Sequence, residues 1–202
     1  MNPQTLLACA LDPSHLFRVQ GLTADPWQQR FLLDTPRFSL LNCSRQVGKS
    51  TTVGALALHT ALFHPNSLVL LLSPSLRQIN EIFRKVLEGY SYFKGFLGAN
   101  HQTRAQLELK NGSRILSLPG KEQFIRSFGG VSLLVLDEAA RIPDELYRSV
   151  RPMLAVSGGK LAALSTPYGK RGWFHDAWVG QEDWHRISIP WDSCPRIPKE
   201  FI

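Results

Sequence analysis

Four short groups of residues in this sequence have the types and spacing for phosphoryl chemistry. The first, Ser44-Arg45-Gln46-Val47-Gly48-Lys49-Ser50-Thr51, lies between an apolar run (Phe38 to Leu41) and a stretch carrying Val53, Leu56, Ala57 and Leu58. A strand, a tight loop and a helix opening on Gly-Lys-Ser make a cradle for a nucleoside triphosphate. Backbone N–H groups and the helix N-terminus face the phosphates, Lys49 reaches the outer ones, and the Ser50 hydroxyl ligates Mg²⁺. The plain G-x-x-x-x-G-K-[ST] pattern fails by one residue, because Cys43 stands where its first glycine would be. Gly48 remains where the backbone must pass close to phosphate. A Cβ penalises the left-handed region, so Cys43 is expected at negative φ.

The second group is Leu133-Leu134-Val135-Leu136-Asp137-Glu138, four apolar residues followed by two carboxylates. A buried strand of this kind presents its carboxylates at the sheet edge where ligands of open α/β folds sit. There Asp137 suits the water ligands of Mg²⁺ or the groups just behind them. Glu138, one residue farther toward the nucleotide, suits polarising the water that attacks the γ-phosphate. In the third group, Lys160 to Pro167, a strand ends in the hydroxyls of Ser165 and Thr166 at a break forced by Pro167. These hydroxyls suit contact with the γ-phosphate or its attacking water. The fourth group is Asp25-Pro26-Trp27-Gln28, where Asp25 caps a helix whose first position is Pro26. Trp27 offers a ring for stacking on adenine, and the Gln28 amide offers a donor and an acceptor to the base edge.

The intervening chain supplies the elements that hold such groups. Leu68 to Leu72 is a continuous apolar run between breakers, the pattern of a parallel strand buried on both faces. Ser75 starts a helix to about residue 88 with Ile79, Ile82, Phe83, Val86 and Leu87 on one face, and Arg77, Arg84 and Lys85 on the same stretch read as a solvated face, with contact to DNA phosphate as the alternative. Gln106 to Lys110 and Arg114 to Leu118 alternate around Asn111-Gly112, a strong hairpin signal. Short helices are expected over 143–151 and 173–180, and a further strand over 184–190. Residues 1–22 read as a loosely organised lead-in, 23–190 as one domain, and the Pro-rich 191–202 as the start of a linker.

Bulk properties narrow the class. With 202 residues, 44% hydrophobic and 19% charged, the chain has the composition of a folded domain with a sizeable core. No apolar run approaches the ~18 residues of a membrane helix, and Met1 to Leu11 lacks the basic start of a secretory signal. Cys9, Cys43 and Cys194 are widely spaced, with no C-x-x-C, which fits reduced thiols in a cytoplasm. The six histidines form no ligand pair, so a histidine-held metal is not expected. A net charge of +7 favours a polyanionic partner, most plainly nucleic acid.

With these groups in this order, the sequence resembles the large subunit of viral DNA-packaging terminases of tailed phages and prophages, over roughly residues 22 to 200. The resemblance rests on Pro26-Trp27-Gln28, on Ser44 to Thr51, on Leu133 to Glu138, on Ser165-Thr166-Pro167 and on Cys194-Pro195-Arg196-Ile197-Pro198. The loop form S-R-Q-x-G-K-[ST], with no first glycine and an arginine inside it, is its most specific part. The resemblance implies a three-layer α/β P-loop NTPase of the RecA-like kind, with a mainly parallel sheet and the 107–118 hairpin inserted at its side. It implies an ATP-hydrolysing motor that uses ATP and Mg²⁺ to move double-stranded DNA into a procapsid. Trp27 and Gln28 fall on the adenine motif, and Ser44 to Thr51 on the phosphate loop, with Lys49 and Ser50 on its phosphate and Mg²⁺ positions. Arg45 falls on a cis arginine finger, Asp137 and Glu138 on the metal ligand and catalytic base, and Ser165, Thr166 and Pro167 on the coupling motif. Arg126 falls near a family arginine-glycine element. Implied partners are duplex DNA, the portal protein, a small terminase subunit and further copies in a homo-oligomeric ring, in the host bacterial cytoplasm and without membrane. Such subunits continue into a nuclease domain that lies outside these 202 residues, so no DNA cleavage is expected of the chain. Two other readings stay open: a helicase-like DNA-dependent ATPase, and a nucleotide-binding remnant without turnover.

Overall fold

The computed structural model describes residues 2–119 and 128–196. In chain order, the helices α1 (Pro3–Leu11), α2 (His15–Val19) and α3 (Pro26–Leu33) precede β1 (Phe38–Cys43), α4 (Lys49–Phe63), β2 (Leu68–Ser73) and α5 (Leu76–Ser91). Then follow β3 (Ala99–Gln102), β4 (Gln106–Leu109), β5 (Arg114–Pro119), β6 (Leu133–Asp137), α6 (Asp144–Val150), β7 (Lys160–Ser165), α7 (Gly172–Val179) and β8 (His185–Ile189).

The strands form one sheet of eight in the order β3-β4-β5-β2-β6-β7-β1-β8. From β5 to β8 every pairing is parallel, while β3, β4 and β5 pair antiparallel at one side. Alternating residues of the central strands feed two cores. Leu41, Val69, Leu71, Val135 and Leu164 face a layer that includes residues of α1 to α5. Leu40, Leu70, Leu72, Leu134 and Leu136 face a layer that includes α6 and α7. Burial on both faces is why these strands read as unbroken apolar runs, and each such leucine contributes about 1.5–3 kcal/mol by leaving water. This is the three-layer α/β architecture that the sequence implies.

Three regions differ from expectation, and a fourth, the hairpin, is more tightly joined to the sheet than its sequence alone told. Residues 2–22 form two helices, with Asn2 capping α1 through the Thr5 N–H (2.7 Å) and Cys9, Leu16 and Phe17 buried in the core. The hairpin forms at the side of the parallel strands as expected, and β5 joins it to them by pairing parallel with β2. A further edge strand, β3, pairs with β4; its Ala99-Asn100-His101-Gln102 carries no alternation to announce it. Residues 191–196, expected as linker, turn back onto the domain, with Cys194 buried. All three cysteines are free and buried.

Candidate active site

The phosphate loop leaves β1 at Cys43 and enters α4 at Lys49. Cys43 is the last strand residue and is not among the residues of positive φ, as the missing glycine predicted; the left-handed turns fall on Gln46 (61°) and Gly48 (87°). Burial pushes the Cys43 thiol up to about 12, so it is a packing residue there. Gly48 is required twice over. Its φ strains any L side chain, and a Cβ would lie 2.7 Å from Gln28 Nε2.

Strand register brings the other groups to the same edge. Asn42 of β1 sits beside Ser165 of β7, and Leu164 beside Asp137 of β6. Between loop and strand ends lies a cleft of about 630 Å³ lined by Arg45, Lys49, Arg77, Glu138, Arg141 and Thr166, among others. Four cations and one carboxylate at a helix N-terminus form a site for a polyanion. Arg45 is exposed there, while Lys49 Nζ donates to the Ser44 carbonyl at 3.3 Å. Ser50 and Thr51 are half-buried in the first turn of α4.

Asp137 is 4% exposed, and its Oδ1 has no hydrogen-bond partner. Burial first, and the Glu138 charge second, push its carboxyl up to about 6, against the pull of Lys49. A buried carboxylate oxygen without a partner is costly alone and is stabilised by a cation. The residues therefore fit Mg²⁺, which is held in such sites by few protein ligands together with phosphate and water. Among the described residues, no three or more His, Cys, Asp or Glu side chains gather into a metal cluster.

Glu138 occupies the left-handed region (φ 50°, ψ 43°), a conformation costing about 1–3 kcal/mol in a non-glycine residue. Its Oε2 accepts from Thr166 Oγ1 at 3.4 Å and lies 3.8 Å from Arg141 Nε. Ser165 is fully buried: its hydroxyl donates to the Thr166 carbonyl (2.8 Å) and accepts from the Ala140 N–H (3.2 Å). The two hydroxyls thus divide their work. Thr166 faces the cleft, Ser165 ties the end of β7 to the turn carrying Glu138, and Pro167 is exposed.

The adenine reading of Gln28 does not match its geometry. Gln28 is 1% exposed. Its Oε1 accepts from the Asp25 N–H at 2.7 Å, and its Nε2 donates to Thr52 Oγ1 at 2.8 Å and the Gly48 carbonyl at 3.4 Å. Both ends of the amide are spent inside the protein, so Gln28 braces the phosphate loop rather than offering itself to a base. Trp27 is half-buried against the core, and its buried Nε1 has no partner.

Sequence reasoning missed the ion pair of Asp25 and Arg196, and the places of Arg77 and Arg141 on the cleft. Arg141 had a signal, since it follows Glu138 by three residues. Arg77 gave none, and it separates from Arg84 and Lys85, which pair with Glu81 and Glu88 in solvent. Arg126 and Ile197 to Pro198 lie outside the described residues.

The fold closely matches the large terminase ATPase domain of Thermus phage P74-26, with a TM-score of 0.78 at 20% identity over 92% of this chain and 89% of that one. It matches the large terminase of bacteriophage HK97 (TM-score 0.67, 14% identity), covering 84% of this chain and 39% of that one. It also matches the large terminase of a thermophilic bacteriophage in complex with ADP (TM-score 0.61, 13% identity), covering 92% and 47%. The chain therefore spans less than half of these last two proteins. The family model for the N-terminal part of the terminase large subunit, T4likevirus-type, matches residues 40–192. Those residues hold the phosphate loop, the carboxylate pair and the hydroxyl pair in one frame, and the chain belongs to the terminase large subunit family, with the fold of its ATPase domain.

Proposed function

We propose that this chain is the ATP-hydrolysing motor of a DNA-packaging terminase, with residues 23–190 as its ATPase domain. Hydrolysis is coupled to movement of double-stranded viral DNA into a procapsid. The observation that carries this reading is the unpartnered, buried Asp137 oxygen, next to a Glu138 that lines one cleft with Lys49 and Arg45.

ATP enters the cleft with its phosphates against the backbone of residues 44–51 and the first turn of α4. Lys49 and Arg45 neutralise the outer phosphoryl oxygens, Arg45 as a planar, permanently charged donor. Mg²⁺, held through Ser50 and Asp137, would supply charge neutralisation on those phosphates. Glu138 accepts the proton of the attacking water, and its carboxylate is oriented by Thr166. Ser165, Thr166 and Pro167 carry the outcome outward, because Ser165 binds the backbone just past Glu138. Trp27 lies on the helix whose Gln28 braces the loop, and stacking of Trp27 on adenine stays part of the reading.

The thermophilic-phage terminase structures in complex with ADP and with ATP-gamma-S accord with a nucleotide in this fold. The net charge of +7 accords with duplex DNA. Portal protein, a small terminase subunit and a homo-oligomeric ring in the host cytoplasm complete the proposal. No helix among the described residues is long and apolar enough to cross a membrane.

The test is Mg²⁺-ATP turnover with and without duplex DNA. Glu138→Gln should bind ATP as before and lose turnover by about 10²–10⁴-fold; unchanged turnover removes Glu138 from its role. Turnover with strand separation would favour a helicase, and binding with no turnover, with or without DNA, would favour a remnant.

A further inference from the structure

The end of β8 and the segment after it reach the phosphate loop at three points. The Ile189 carbonyl accepts from the Ser44 N–H at 2.9 Å. The Cys194 thiol lies 3.9 Å from the Val47 carbonyl, and Arg196 Nη2 donates to the same carbonyl at 3.4 Å. Arg196 is itself anchored. Its Nε lies 3.1 Å from both Asp25 carboxylate oxygens and its Nη2 lies 2.6 Å from Oδ2, a fork on a carboxylate that is 5% exposed. Asp25 in turn belongs to the capping box of α3, whose Gln28 holds the Gly48 carbonyl.

In a trans peptide the C=O and N–H point in opposite directions. Holding the Val47 carbonyl toward Arg196 turns the Gly48 N–H the other way, and holding the Gly48 carbonyl toward Gln28 and Thr52 does the same for the Lys49 N–H. Those N–H groups are the ones a phosphate needs. We infer that Arg196, paired with Asp25, is a positioning residue for the phosphate loop, so that the 189–196 segment forms the rear wall of the ATP site. The inference rests on the ATP-binding reading above. It also carries a consequence: displacement of this segment loosens phosphate binding, and bound ATP holds the segment in place by the same factor.

The experiment measures ATP affinity by calorimetry in Mg²⁺ buffer, together with the Tm of the ligand-free protein, for Arg196→Ala, Arg196→Lys, Asp25→Asn and Lys49→Ala. Arg196→Ala should weaken ATP roughly tenfold, since misplaced binding groups cost factors of ten to a hundred. Arg196→Lys keeps the charge without the fork and should recover part of that loss. Asp25→Asn should resemble Arg196→Ala, and the two together should weaken ATP no further than either alone. A lower Tm with unchanged ATP affinity would reduce the ion pair to scaffolding and overturn the inference. Lys49→Ala separates the two layers. If it binds ATP as tightly as the parent, the ATP-site reading fails; if it loses ATP while Arg196→Ala does not, only the inference fails. Should Arg196→Ala not fold, the affinities of Arg196→Lys and Asp25→Asn decide, and parental values in both overturn it.

Discussion

On one side of the cleft, the phosphate loop takes its shape from left-handed turns at Gln46 and Gly48, and from side chains distant in sequence, Gln28 and Arg196. On the other side, Asp137, Glu138, Ser165 and Thr166 take theirs from the register of two adjoining parallel strands. The loop half is a backbone conformation that must be braced, because its N–H groups work only if their carbonyls are held behind them. The strand half is a set of side chains on a rigid edge, where the cost is a buried carboxylate and a strained Glu138. The first half is vulnerable to changes in shape, the second to changes in charge.

This contrast can be broken in either half. The largest effect is expected from Asp137→Asn, which keeps the shape of the strand end and removes its charge. Mg²⁺-dependent turnover should fall by about a hundredfold or more, while the Tm of the metal-free protein should hold or rise, because a poorly solvated charge is gone. A clear fall in Tm would mean that the Asp137 charge stabilises the strand end rather than costing it.

Next comes Gly48→Ala, which adds one methyl to the loop half and alters no charge. The left-handed backbone costs about 1–2 kcal/mol, and the Cβ meets Gln28 Nε2 at 2.7 Å. We expect a Tm lower by about 3–6 °C and ATP binding weakened by about tenfold. An unchanged ATP affinity would show that the bracing is dispensable.

The smallest effect sharpens how far the loop half extends. His59, on α4, is buried and meets the Ala10 carbonyl of α1 at 3.2 Å through Nε2. Burial foremost lowers its pKa below the ordinary 6.5. Below that value the unfolded chain therefore binds more protons than the folded one, and stability falls as pH falls. Thermal melts between pH 7.5 and 5.5 should show a steeper loss for the parent than for His59→Gln. Equal slopes would remove His59 as the acid-sensitive point of this junction.

Much of the architecture is legible along the chain. Runs such as Leu68 to Leu72 and Leu133 to Leu136 are buried on both faces, so hydrophobicity alone marks them. The 3.6-residue spacing of Ile79, Ile82, Phe83 and Val86 marks α5. The start of α1 does carry a local mark, Asn2-Pro3, a cap followed by a first-turn proline, which the reading of residues 1–22 as a lead-in passes over. Strand β3 has no such mark, because a polar four-residue edge strand exists only through its partner. Strand order is equally silent, since every parallel pairing joins residues separated by a crossover.

Within the site, local spacing determined which residues share one element end and so can serve the proposed chemistry together: Arg45 and Lys49 in one loop, Asp137 and Glu138 at one strand end, Ser165 and Thr166 at another. Types and short spacings suffice there, because a strand end or a helix start presents its neighbours together. What Gln28 does was decided only by the tertiary structure, which spends its amide on the loop 20 residues away. The same holds for Arg196, whose partner Asp25 lies 171 residues distant. A hydrogen bond is specified by two groups within about 3 Å, and for these two residues only the folded sheet creates that proximity.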